Sequence, residues 1–118
     1  VGSGYSQSRR DDPGWYDCSS LVYRSYAAAG ITYLNGMDAA SEAECLVNKG
    51  MTVSYGELQP GDLIFYSYSA NGKYRNISHV AIYLGNGEMV HAADESRGVC
   101  KQAMSQSNLS PQLYCRPQ

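Results

Sequence analysis

Four cysteines (Cys18, Cys45, Cys100, Cys115) and two histidines (His79, His91) are the residues of this 118-residue chain whose types can carry covalent or metal chemistry. Their spacing argues against a zinc module, because no C-x-x-C pair and no pair of histidines three to five residues apart occurs. A nucleophile and a base are the alternative. Cys18 directly follows Asp17, a residue type that caps helices, and Val22, Tyr26 and Ala29 then recur at helical spacing. A thiol in the first turn of a helix feels the positive end of the macrodipole, and a neighbouring imidazolium depresses its pKa further. An ordinary thiol near pKa 8.5 is only about 3% ionised at pH 7, whereas one lowered to about 5 is almost wholly thiolate. An imidazole acting as base must in turn be held in one tautomer by a second polar group, which the other histidine can supply. The bland alternatives are a cysteine that packs as a small hydrophobe and histidines that are satisfied polar residues.

Whether the histidines can cooperate depends on the elements that carry them. Residues 18–29 are expected to form a helix stopped by Gly30, and residues 39–48 a second one capped by Asp38 or Ser41, with Ala43, Leu46 and Val47 on one side. Residues 1–15 are rich in Gly, Ser, Arg and Asp without a sustained period and read as loop. Beyond Pro60-Gly61 the pattern turns extended: 62–66 is a short apolar strand, 67–76 an exposed loop, and 79–84 and 89–92 flank an Asn86-Gly87 turn as a hairpin. Further strands are expected near 98–102 and 113–116. A two-residue loop would pair His91 with Ile82 and put the histidines on opposite faces. An odd loop, Gly85-Asn86-Gly87 with Gly87 left-handed as a bulge, pairs Ile82 with Val90 and brings both histidines to one face. The apolar alternation favours the odd loop.

Composition sets the outer bounds. At 43% hydrophobic and 17% charged residues the chain reads as a soluble globular domain of one core. A formal charge of −2 argues against a nucleic-acid or anionic-lipid partner, and no apolar run is long enough to span a membrane. The chain opens at Val1 without methionine or a basic-then-apolar leader, which reads as an excised domain or mature fragment.

Four blocks, Asp17-Cys18-Ser19-Ser20-Leu21-Val22, Leu58-Gln59-Pro60-Gly61-Asp62-Leu63-Ile64-Phe65, Ser78-His79-Val80-Ala81-Ile82-Tyr83-Leu84-Gly85-Asn86-Gly87 and Val90-His91-Ala92, resemble in order and spacing the NlpC family of cell-wall cysteine peptidases. The resemblance extends over nearly the whole chain. It implies a single-domain α+β papain-like fold, truncated at its N-terminal edge, with N-terminal helices packed on a central antiparallel β-sheet. It further implies Cys18 as nucleophile, His79 as general base and His91 as the residue that orients it. Substrate contacts would come from Asp17, equally explained as a helix cap, from Ser78, and from Tyr5 as a substitute for the family's upstream tyrosine. The implied activity is a cysteine endopeptidase cutting peptidoglycan stem peptides at a γ-D-glutamyl to diamino-acid bond through a thioester, without metal or cofactor. Such a protein would be monomeric and secreted or wall-associated, of bacterial or phage origin. The alternatives are an N-acetylmuramoyl-L-alanine amidase or acyltransferase of the same architecture, and a non-catalytic wall-binding module. Lys73 and Arg75 could overhang the site, though a solvated loop is the simpler reading. With Cys18 assigned to chemistry, Cys45 reads as helix packing and Cys100 with Cys115 as a strand-borne pair.

Overall fold

A computed structural model describes residues 3–12, 14–67, 70–94, 97–106 and 111–118. Two short strands, β1 (Gly4–Tyr5) and β2 (Trp15–Tyr16), pair in parallel where the sequence reads as loop. Two residues are too few to show a period, so tertiary contacts set them: the Arg9 guanidinium lies 4.3 Å over the Trp15 ring, and Ser3 O accepts the Val99 N–H at 2.8 Å. Gly98 permits that approach, since a Cβ there would stand 2.3 Å from Ser3 O.

Helix α1 (Cys18–Ala28) and helix α2 (Ala39–Asn48) follow, within a residue of the expected spans. Both ends are set locally, by the Asp17 and Asp38 caps, each side chain accepting the backbone N–H three residues on. Strands β3 (Leu63–Tyr66), β4 (His79–Gly85), β5 (Glu88–Asp94), β6 (Gly98–Ala103) and β7 (Pro111–Cys115) form one antiparallel sheet in the order β6-β5-β4-β3-β7. Val22, Tyr23, Ala43 and Leu46 of the helices pack on Leu63, Phe65, Val80 and Leu113, which alternation places on one face. Ile64, Tyr66, Ala81 and Met89 form a second cluster on the other face, so β3 is buried on both sides and reads as a continuous apolar run. The turn before it is pinned from three directions. Asp62 accepts the Gln59 N–H at 2.9 Å, receives the Arg116 guanidinium on both oxygens at 2.8 and 2.9 Å, and the Tyr26 hydroxyl donates to Gly61 O.

The β4–β5 hairpin has the expected parity by a different device. Ile82 pairs with Val90 and Tyr83 with Met89, as the odd loop requires. The extra residue, however, sits within β4, where the register shifts between Tyr83 and Gly85, and the connection itself is the two-residue Asn86-Gly87 turn with φ of 54° and 76°. Two consecutive positive φ values make a turn whose twist matches that of the strands, so the bulge moves out of the loop. The proposed cysteine pair is corrected: all four thiols are free. Cys100 and Cys115 lie on the two edge strands, four strand spacings or about 19 Å apart, far beyond disulfide reach. No described helix is long and apolar enough to cross a membrane.

Candidate active site

Cys18 is the first residue of α1, and a reciprocal box holds that turn. Asp17 Oδ1 accepts the Ser20 N–H at 2.8 Å, and Ser20 Oγ accepts the Asp17 N–H at 2.9 Å, which explains a serine at this position. The other Asp17 oxygen forms an ion pair with Arg10 Nε at 3.2 Å, and the same guanidinium donates to Ser19 Oγ at 2.7 Å and Met37 O at 2.9 Å. Arg24 ties the preceding segment down by donating to the carbonyls of Arg10 and Trp15. Both carboxylate oxygens of Asp17 are therefore engaged inside the protein, and the cap accounts for part of that engagement.

The thiol leans on the start of β4. Cys18 Sγ lies 3.9 Å from Ser78 O, and the Val80 backbone also hydrogen-bonds to it, so the sulfur is held by the residues on either side of His79. Contrary to the expectation of a lowered pKa, burial pushes this thiol up to about 12, with the charges of Asp17 and Glu42 adding and the backbone groups of Val80 and Ser19 opposing. Desolvation of a thiolate here outweighs the helix N-terminus.

His79 and His91 are 4% and 5% exposed, on one face of the sheet. His79 Nε2 and His91 Nδ1 are 2.8 Å apart, with the rings edge to face at 74°. Tyr66 flanks His79 with ring centroids 6.1 Å apart. Burial first, then the repulsion that protons on both His79 and His91 would create and the charge of Arg97, hold His79 down at about 3, so its ring is neutral at ordinary pH. The row continues: His91 Nε2 is 2.8 Å from Gln102 Oε1 on β6.

Of the remaining expected residues, Ser78 touches the thiol through its carbonyl. Ser78 enters β4, donating its N–H to Tyr66 O at 2.9 Å. Tyr5 is half-buried in β1, paired with Tyr16 and near Gln7 Nε2 at 3.4 Å. Lys73 forms an ion pair with the α2 cap Asp38 at 3.0 Å, and Arg75 stacks on its neighbour Tyr74, so both cations are engaged within the protein. Among the described residues no group of His, Cys, Asp and Glu is placed to hold a metal ion.

Three residues escape sequence reasoning. Gln102 was legible only as a strand position; its phase with His91 follows once Met89 is paired with Gln102 and His91 with Cys100. Arg10 lies in a segment that reads as loop. Glu42 follows no signal at all: it is fully buried in α2, neither oxygen has a hydrogen-bond partner among the described residues, and burial raises its pKa well above the usual carboxylate range.

Three comparisons bear on this geometry. A family model described as the NlpC/P60 family matches residues 3–116. The chain is 42% identical over 105 residues to the peptidoglycan DL-endopeptidase CwlO of Bacillus licheniformis, a match that covers 88% of this chain and 21% of that protein. Among solved structures it superposes with a TM-score of 0.70 on the NlpC/p60 domain of the peptidoglycan hydrolase SagA, at 24% identity, covering 98% of this chain and 88% of that one. It also superposes with a TM-score of 0.64 on RipD of Mycobacterium tuberculosis, described as a non-catalytic NlpC/p60 domain protein adapted to peptidoglycan binding, at 25% identity over 86% of this chain and 66% of that one.

Proposed function

The chain belongs to the NlpC/P60 family, with that family's papain-like α+β fold, and from that premise we propose that it is a cysteine endopeptidase that cuts peptidoglycan stem peptides at the γ-D-glutamyl to diamino-acid bond. The observation that carries the reading is the seating of Cys18 Sγ against the backbone on both sides of His79, whose ring is backed by His91 at 2.8 Å. His79 Nε2 is committed to His91, so the thiol proton passes to Nδ1. Neither the thiol nor the ring ionises readily alone, so proton transfer accompanies formation of the bond between sulfur and the scissile carbonyl carbon. The Cys18 backbone N–H, a first-turn donor without an intrahelical acceptor, faces the developing oxyanion. His79 then returns the proton to the leaving amine, and water hydrolyses the thioester. Asp17 and Ser78, the sequence neighbours of the nucleophile and the base, and Tyr5 on β1 complete the reading as substrate contacts, and the site of action is the bacterial cell wall.

Digestion of defined muropeptides read by mass spectrometry tests the proposal. Release of a fragment ending in D-glutamate supports it, and Cys18→Ala should abolish that release while leaving the fold intact. Release of the intact stem peptide from the sugar would reassign the chain as an amidase. Retention on peptidoglycan without any new product would make it a binding module, as RipD is described.

A further inference from the structure

We infer that Gln102 is a positioning residue: its side-chain carbonyl fixes the tautomers of His91 and, through it, of His79. The inference rests on the reading of His79 as the base. Gln102 Oε1, the two ring nitrogens of His91 and Nε2 of His79 form one continuous row, with both contacts at 2.8 Å. A carboxamide oxygen only accepts, so the proton at that contact sits on His91 Nε2. A neutral imidazole carries one N–H, which leaves His91 Nδ1 as an acceptor and makes His79 Nε2 the donor to it. His79, kept neutral by burial, then presents Nδ1 with its lone pair and without a proton. If an NH group stood in place of the carbonyl, every proton along the row would reverse and Nδ1 would hold the hydrogen, unable to take one from a thiol.

The fold brings Gln102 to this place through strand register. His91 faces Cys100 across β5 and β6, while Gln102 faces Met89, two residues away on the same side. Gln102 is thus the diagonal neighbour of His91, within reach of its outer nitrogen. A neutral acceptor is also the suitable one. A carboxylate at this position would favour a doubly protonated His91, whose Nδ1–H would then donate to His79 and reverse the row.

The test uses the 118-residue chain with Cys18→Ala, so that it does not depend on turnover, together with the active chain for kinetics. Nitrogen-15 NMR of the two imidazoles should show protons on Nε2 of both histidines at pH 7.5. Gln102→Met removes the bias of one hydrogen bond, so His91 should populate both tautomers and kcat should fall about tenfold with KM little changed. Gln102→Glu should keep the tautomers at alkaline pH and lose them on acidification, moving the acid limb of the kcat profile upward. Unchanged tautomers in both variants overturn the inference, whether or not the protein cleaves peptidoglycan. Conversely, protons on Nε2 in a chain that releases no product would leave the inference standing and refute the proposed function.

Discussion

Lowering the pH from 7.5 to 5.0 should cost this fold about 2 kcal/mol through His79 alone. In the unfolded chain the ring takes up a proton near its ordinary pKa of 6.5; in the folded chain burial, His91 and Arg97 delay uptake until about 3. A folded pKa lying below the unfolded one means that the unfolded state binds the extra proton, so this stability is present above about 6.5 and drains away as pH falls. With 1.36 kcal/mol per unit the loss reaches about 2 kcal/mol at pH 5 and about 5 kcal/mol below pH 3. His79→Gln isolates the effect, because its amide N–H can replace Nε2 as donor to His91 while the side chain does not titrate. Urea unfolding at both pH values, followed by the fluorescence of Trp15, the only tryptophan, gives the two free energies. Glu42 acts in the opposite direction, its raised pKa favouring the folded state at low pH, but it is present in both proteins and cancels in the comparison. The wild-type chain should lose about 2 kcal/mol more than His79→Gln. Equal losses would refute the assignment of a buried, neutral His79.

Three further outcomes follow from the same geometry. Alkylation of Cys18 by iodoacetamide, located by peptide mapping, should rise tenfold per pH unit up to pH 10 without a plateau and run about 1,000-fold slower at neutral pH than for a thiol of pKa 9.0, because its pKa is about 12; a plateau below pH 8 would instead reveal a resting ion pair. Asp17→Ala should cost about 1 kcal/mol of stability through the lost cap, and Asp17→Asn should restore most of it; activity that recovers together with stability would make Asp17 a cap only, and activity that stays low would make it a substrate contact. Glu42→Met should stabilise the protein by about 1–3 kcal/mol at neutral pH by removing a buried carboxyl that has no hydrogen-bond partner among the described residues, as read from urea midpoints, whereas a loss of stability would show that the carboxyl has a partner in solution.

Much of the positioning framework is legible in the chain because it is specified by neighbours in sequence. The 3.6-residue spacing and the Asp17 and Asp38 caps delimit both helices to within a residue, and Cys18 takes its place at a helix start for that reason alone. The alternation of Val80, Ile82 and Leu84 against Met89 to His91 forces the two histidines onto one face, since a slip of one residue would turn the apolar side chains outward. Alternation leaves the place of the extra residue open. A bulge at Tyr83 to Gly85 and a bulge at Gly87 satisfy the same parity, and the positive φ at Asn86 and Gly87 decides between them.

Properties that depend on partners distant in sequence were settled only by the tertiary structure. Cys100 and Cys115 look like a pair until strand order sends them to opposite edges of the sheet. Strands β1 and β2 exist through contacts with Trp15 and β6 that no local period encodes. Gln102 joins the histidines through the register of β5 with β6. The protonation states belong to the same class: the residue types and the helix start pointed to a lowered thiol pKa, yet burial moves Cys18 up and His79 down. The sequence names the groups and the faces they share, because periodicity and capping are short-range. The packed fold decides which of those groups touch and which hold charge, because desolvation is set by everything that surrounds a side chain.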